Sequence, residues 1–208
     1  QASYISHLDT MRTFQRVFPR AELHLKHSNG FHPHPIISIV LPLPVGQSSD
    51  CELLDFETVE ETDGAGIAEK LNTGLPAGLR VRECYPVTRP VREFTFLRAR
   101  LELLYDNGVP AGTADALRAL FARETLMIEK RTKHKELAQI DIAPLIREMT
   151  LTEQDGSILA DAVVAAQNPG LNPQLLEKAI ARYLPELTPD FVRVRRRQLL
   201  DADGQVFR

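Results

Sequence analysis

The densest cluster of polar side chains in the sequence is the segment 28–35, which reads SNGFHPHP. Its alternating prolines fix the backbone φ angle, so the spacing predicts that His32 and His34 point to the same side of a stiff strand, about 7 Å apart. His7 is a third candidate, because the helix it opens is expected to start at the same end of the sheet. Three chemistries fit these histidines: metal binding, acid/base catalysis at an RNA 2′-hydroxyl by His7 or His34, and recognition of an anion or RNA backbone. In a fourth interpretation the histidines have only a structural role: Asn29 and Gly30 form the turn, and the histidine side chains pack against the fold or cap backbone groups.

A metal site has weak support in the sequence. No fourth ligand is spaced convincingly around the three histidines. The two cysteines, Cys51 and Cys84, form neither a CxxC pair nor a disulfide framework. We therefore expect no metal and no cofactor, and the cysteine usage is typical of a reducing cytosol.

A second cluster combines arginines with phenylalanines near the C-terminus. Strand alternation directs Val192 and Val194 to the core, which leaves Phe191, Arg193, Arg195 and Arg197 on the opposite, open face. The same rule places the odd residues of the strand 97–103 in the core. We expect the neighbouring open face to carry Phe94, Phe96, Arg98, Arg100, Arg193, Arg195 and Arg197. Sheets that bind RNA stack bases on such rings and hold phosphates with such arginines. The alternatives are that the other domain covers the rings, or that the arginines only protect an edge strand from aggregation.

Two smaller basic features complete the candidate binding residues. Lys133 lies in a run of basic residues, 130–135, that is either a solvated loop or an extension of the arginine-rich sheet. Arg12, on the first helix, is a candidate through a family resemblance alone, which is carried by the motif YISHLDTMR at 4–12.

The elements that position these residues follow a repeated order. A helix over 6–18, a helix after Asp63, and strands over 23–26, 36–43, 51–59 and 79–85 predict β-α-β-β-α-β if a strand ends at Tyr4 and Ile5. After a linker near Pro90 the order recurs, with strands over 94–105, 126–132, 158–165 and 191–200. We therefore predict an α+β protein of two tandem ferredoxin-like units, residues 1–88 and 89–208.

The composition is that of an ordinary globular protein. The 208 residues include 25 Lys+Arg and 28 Asp+Glu, for a formal net charge of -3. A pI near 6.1 excludes a strongly cationic, nonspecific nucleic-acid binder. Because no apolar run is long enough to cross a bilayer, we expect a cytoplasmic protein without a membrane partner. Gln1 is not an initiator methionine, so we expect the start of the chain to have been trimmed.

Three motifs resemble a known family. YISHLDTMR at 4–12, SNGFHPHP at 28–35 and LPLPVG at 41–46 are similar to the radical SAM-linked family, a domain of unknown function encoded beside, or fused to, a radical SAM protein. The family has Asn where this chain has His32, which favours hydrogen bonding or loop shape over metal or acid/base chemistry at that position. The family's marked residues fall here on His7, Asp9, Arg12, Ser28, Gly30, Phe31, Pro33, His34 and Pro35.

The resemblance implies a bacterial cytosolic protein that works with a radical SAM enzyme. The chain has no CxxxCxxC motif of its own, so it cannot hold that enzyme's iron–sulfur cluster. We expect a non-enzymatic module that binds RNA through the Arg/Phe sheet face and the loop around Ser28, Asn29, Gly30, Phe31, His32 and His34. The alternatives are a metal-independent endoribonuclease that uses His7 or His34, and a docking domain for the radical SAM partner.

Overall fold

A computed structural model describes residues 2–59, 61, 63–131 and 136–208 of the chain. Its contacts divide the chain into two compact units. The first contains the residues up to Ser48 together with Glu52–Val91, and the second contains Ser49–Cys51 and Arg92–Arg208. Helices and strands are present in both units, which confirms the predicted α+β class. Within the described residues, no helix is both long and apolar enough to span a lipid bilayer.

Two helices form the main elements of the first unit, α1 (His7–Arg20) and α2 (Gly64–Gly74). α1 starts where the sequence predicts, because the Ser6 hydroxyl accepts a hydrogen bond of 3.1 Å from the Asp9 amide. The helices bury apolar side chains in a core formed by Val17, Phe18, Leu23, Leu25, Ile67 and Leu71.

The strands of the first unit are short. β1 (Ile37–Ile39) pairs antiparallel with β3 (Leu54–Phe56). Of the two-residue strand β2 (Ser48–Ser49), which lies between them in the chain, Ser49 belongs to the second unit. The prediction of a strand before Ser6 is wrong, because Ala2–Tyr4 is a 3₁₀ turn. The described residues of this unit therefore do not form the predicted four-stranded sheet.

The other missing strands have identifiable causes. The prediction of a strand over 79–85 is wrong because the side chain of Asn72 takes both backbone groups of Val81, each at 2.9 Å. Those groups would otherwise pair with a neighbouring strand. The segment 23–27 forms only the isolated bridges Leu25–Thr58 and His27–Pro35. Pro35 has no N–H to donate, so a regular ladder cannot continue through it.

The second unit contains a five-stranded sheet and a separate hairpin. Its elements are β4 (Phe94–Leu104), α3 (Thr113–Phe121), β5 (Met127–Arg131), β6 (Leu137–Asp141), β7 (Ile146–Gln154), β8 (Ser157–Ala165), α4 (Leu175–Tyr183) and β9 (Phe191–Asp201). The strand order in the sheet is β2-β9-β4-β8-β7, and β5 pairs with β6 alone. The order β9-β4-β8-β7 places the first and last strands of a ferredoxin-like unit side by side, as predicted.

The strand predicted over 126–132 is present as β5, but its expected place in the sheet is wrong. It pairs with β6 alone, and β7, a strand outside the predicted order, occupies the position beside β8. The two-residue turn Asp155-Gly156 causes this pairing, since it connects β7 directly to β8 and Gly156 adopts a φ of 70°.

The core of this unit agrees with the predicted alternation. Leu97, Ala99, Leu101 and Leu103 of β4 are buried, as are Val192 and Val194 of β9. α3 and α4 bury Leu117, Leu120, Leu176, Ala179 and Ile180. The other face of β4 and β9 carries the polar residues.

Candidate nucleic-acid interface

We use the name arginine face for the polar side of β9 and β4. On β9, Arg193, Arg195 and Arg197 alternate with buried residues and are exposed, as predicted, together with Phe191. On β4, Phe96, Arg98 and Arg100 are partly exposed on the same side. The strands therefore bring together five of the predicted arginines, because β4 and β9 are neighbours and both alternate with period two.

Phe94 is a correction to the predicted surface. It is only 2% exposed, and its ring packs against Phe207 with the centroids 5.9 Å apart. The cause is an irregularity in the pairing of β4 with β9 between Phe94 and Phe96, where an extra residue turns Phe94 to the core side. The prediction that Phe94 faces solvent is wrong.

The ring of Phe96 is on the arginine face, but another side chain covers it. The guanidinium of Arg147 lies 4.6 Å from its centroid, in cation–π geometry. Arg147 also donates a hydrogen bond of 3.1 Å to the Ala202 carbonyl, which fixes the guanidinium over the ring. Phe191, which is 55% exposed, is therefore the accessible ring of the face.

Four charged residues from four segments of the chain form the central row of the arginine face, in the order Asp50, Arg195, Arg100 and Asp161. Arg195 on β9 and Arg100 on β4 are direct cross-strand partners. Arg195 donates from Nε and Nη2 to the Asp50 carboxylate at 2.8 and 2.6 Å. Arg100 donates in the same way to Asp161 at 2.9 and 3.0 Å. The hydrogen bonds raise the pKa of each guanidinium above its ordinary value, so both arginines stay charged.

This row places two like charges opposite each other. Like charges at directly opposed positions of a sheet are destabilising, and each guanidinium is balanced by a carboxylate on its outer side. The carboxylates occupy the Nε/Nη2 edges only. In the described part of the chain, the Nη1 groups of Arg100 and Arg195 make no hydrogen bond. Two charged donor groups thus remain available on neighbouring strands.

The other arginines of the face are paired more loosely. Arg193 lies 3.0 Å from Glu102, Arg98 lies 3.7 Å from Glu148, and Arg197 lies 3.4 Å from Asp50. With Arg147, the face has six arginines and four carboxylates, an excess of two positive charges. The sequence-based prediction missed all four carboxylates. Asp161 could have been found, because it is the single charged residue in the strand SILADAVVA.

In the first unit, the predicted loop is closed at its base. The Ser28 amide donates to the His34 carbonyl at 2.9 Å, and the Ser28 hydroxyl contacts both the amide and Nδ1 of His34, at 3.2 and 2.9 Å. Asn29, Gly30, Phe31 and His32 lie between these two residues and are exposed. The Nδ1 atom of His34 is therefore engaged in closing the loop through Ser28.

The remaining predicted site residues do not assemble into a catalytic group. Arg12 pairs with Asp9 at 3.2 Å, and hydrogen bonds first from Ser6 and then from Arg12 lower the pKa of Asp9. The Nδ1 atom of His7 is buried without a hydrogen-bond partner in the described residues. Lys133 lies outside the described residues. Among those that are described, no group of three or more His, Cys, Asp or Glu residues is placed to hold a metal ion.

The sequence matches the family described as an uncharacterized protein conserved in bacteria, DUF2344, over residues 1–173. The chain therefore belongs to this family. The match includes the SNGFHPHP loop and ends before α4 and β9, so the arginines of β9 lie beyond it. No curated protein matches the chain.

Proposed function

We propose that this member of the bacterial DUF2344 family is a single-stranded RNA-binding module that acts together with a radical SAM enzyme. The observation that carries the RNA part is the opposed pair Arg100 and Arg195, whose Nη1 groups make no hydrogen bond to any residue that the structure describes. A phosphate oxygen between them would accept charge-assisted hydrogen bonds from both strands. It would also relieve the repulsion between the two guanidinium groups.

The surroundings of this pair suit an extended polyanion. Arg193 and Arg197 flank Arg195 along β9, and the excess of two positive charges on the face attracts further phosphates. Exposed ion pairs such as Arg193–Glu102 contribute little to stability, so their arginines can exchange a carboxylate for a phosphate at small cost. Phe191 offers a partly exposed ring at the end of the same strand, and bases stack on such rings.

The radical SAM partner is supported by the motifs of the first unit, YISHLDTMR, SNGFHPHP and LPLPVG, which resemble the radical SAM-linked family. Because the chain lacks a CxxxCxxC motif, the iron–sulfur cluster and its chemistry would belong to the partner. The role of this chain would be to hold the RNA.

The RNA proposal is tested by titrating a labelled single-stranded oligoribonucleotide at several salt concentrations. For single strands, a plot of log K, where K is the association constant, against log salt concentration has a negative slope. Each phosphate contacted adds about 0.7 to the size of that slope. We expect the Arg100→Gln/Arg195→Gln variant to bind more weakly and to lose about 0.7 from that slope, because the pair contacts one phosphate. The Arg100→Lys/Arg195→Lys variant keeps the positive charges but not the paired donor edges of arginine. Its RNA affinity should therefore lie between those of the glutamine variant and the wild type.

Arg118→Gln is the matched control, because Arg118 is also ion-paired with an aspartate, Asp115, but lies on α3. Its affinity and salt slope should equal those of the wild type. Absence of binding by the wild-type chain at low salt, or an unchanged slope in the Arg100/Arg195 glutamine variant, would overturn the proposal.

The partner is tested separately. A radical SAM enzyme of the kind that accompanies the radical SAM-linked family should form a complex with the purified protein that is detectable by light scattering. The absence of a complex at micromolar concentrations would overturn this part alone.

A further inference from the structure

The most exposed large apolar side chain in the described residues is Phe31, at the tip of the SNGFHPHP loop. Its relative exposure is 101%, so the ring touches almost nothing of its own chain. Single exposed apolar residues are common on proteins and need no explanation by themselves. Phe31 differs because the loop that carries it is held in one shape.

The shape of the loop is fixed by contacts at its base and by its own residues. Three contacts join Ser28 to His34, and the neighbouring residues His27 and Pro35 form a β-bridge. Pro33 restricts the backbone between the tip and the base. Gly30, just before the ring, has a φ of 133°, a conformation that side-chain-bearing residues rarely adopt. A ring presented by such a loop loses little conformational freedom when it binds a ligand.

The segment that carries the loop has no acidic residue of its own to repel a polyanion. The 27 residues from Leu23 to Ser49 include no Asp or Glu, but they include one lysine and four histidines. The lysine, Lys26, is paired with Glu57 of the neighbouring segment, at 3.4 Å. A flat aromatic ring can stack on an unstacked base of a single strand, and a segment without acidic residues does not repel the neighbouring phosphates.

We propose that Phe31 is a base-stacking residue: its ring stacks on one unpaired nucleobase of the RNA. This inference rests on the proposed RNA-binding function and adds to it a contact in the first unit that depends on bases and not on phosphates. The arginines of the arginine face, by contrast, would bind the backbone whatever its bases.

The test uses Phe31→Ala, Phe31→Leu and Phe31→Trp in the full chain, with two probes. One probe is a single-stranded oligouridylate, and the other is an abasic oligomer of equal length. We expect Phe31→Ala and Phe31→Leu to bind the oligouridylate about 10-fold more weakly than the wild type, because alanine and leucine have no π face. Phe31→Trp should bind it at least as well as the wild type. All four proteins should bind the abasic oligomer equally.

Phe31→Trp also supplies a direct signal, because the chain has no tryptophan. Its fluorescence should be quenched by the oligouridylate and unchanged by the abasic oligomer. Since the ring is fully exposed, urea denaturation should show the same stability for all variants, so a loss of binding would not reflect unfolding.

The outcomes separate this inference from the proposal on which it rests. If Phe31→Leu binds the oligouridylate like the wild type, or if the fluorescence of Phe31→Trp responds only to the radical SAM enzyme, the stacking role is overturned while RNA binding by the arginine face stands. If the wild-type chain binds neither oligomer at low salt, the proposed function fails and this inference fails with it.

Discussion

Replacing Asp50 with asparagine should tighten RNA binding and destabilise the protein at the same time. The Asp50 side chain, only 16% exposed, holds Arg195 through two hydrogen bonds and lies 3.4 Å from Arg197. An asparagine side chain would keep the shape of the aspartate but lack its negative charge. The substitution therefore weakens a structural ion pair and removes a charge that repels phosphate.

The size of the binding effect follows from the geometry. A phosphate oxygen bound to the free Nη1 of Arg195 would lie about 7 Å from the Asp50 carboxylate, given hydrogen-bond lengths near 2.9 Å. At that distance, two unit charges at a partly hydrated surface repel by about 1 kcal/mol after screening by salt. Removing this repulsion should lower the Kd for a single-stranded oligoribonucleotide about 5-fold at 25 °C.

The stability effect has the opposite sign. The geometry of the Asp50–Arg195 pair is bidentate, which places it at the upper end of the range for ion pairs near the surface, about 1 kcal/mol. Asp50→Asn should lower the free energy of unfolding by about that amount, as measured by urea denaturation.

Asp115→Asn is the control for the change in net charge, since it also removes one negative charge from an arginine partner, Arg118 on α3. It should leave RNA affinity unchanged, because α3 does not contribute to the arginine face. If Asp50→Asn binds RNA as the wild type does, or more weakly, the placement of a phosphate at the Arg100–Arg195 pair is refuted.

Two further predictions concern the folded state. Burial, and then the nearby charge of Asp190, raise the pKa of Tyr105 to about 12, above its ordinary value of 10.0. The folded state therefore resists losing this proton, and its stability should fall as the pH rises from about 10 to 12; Tyr105→Phe should lose that dependence in urea denaturation series. Asn72→Ala should destabilise the first unit by about 2 kcal/mol, because both backbone groups of Val81 lose their partner, and hydrogen exchange at Val81 should accelerate. Exchange at Val81 equal to the wild type would contradict this account of the 79–85 segment.

The exposed arginines of β9 could be predicted because strand alternation is a local property. In FVRVRRR, valines alternate with arginines, and one buried face is enough to fix the direction of every side chain. Arg193, Arg195 and Arg197 accordingly lie on one side. The same reasoning correctly places the odd residues from Leu97 to Leu103 of β4 in the core.

What could not be predicted depends on contacts between distant parts of the chain. Phe94 turns inward because of a pairing irregularity with β9, about 100 residues later in the sequence. No local sequence pattern around Phe94 predicts this irregularity. Asp50 precedes its partner Arg195 by 145 residues. The position of β7, in contrast, had a local signal: the Asp155-Gly156 turn is a strong hairpin signature, and weighing it would have placed β7 beside β8.

The carboxylates also bear on which ligand the arginine face would select. A single phosphate at the Arg100–Arg195 pair gains two donors but is repelled by Asp50 and Asp161, so its net attraction is small. An extended chain of phosphates meets the same repulsion at the centre, and it also meets Arg193, Arg197 and the excess positive charge of the face. Each added phosphate contact releases counterions, and this contribution grows with chain length. The pairing of arginines with carboxylates should therefore make the face selective for polyanions, with free phosphate or a mononucleotide competing poorly against a single strand.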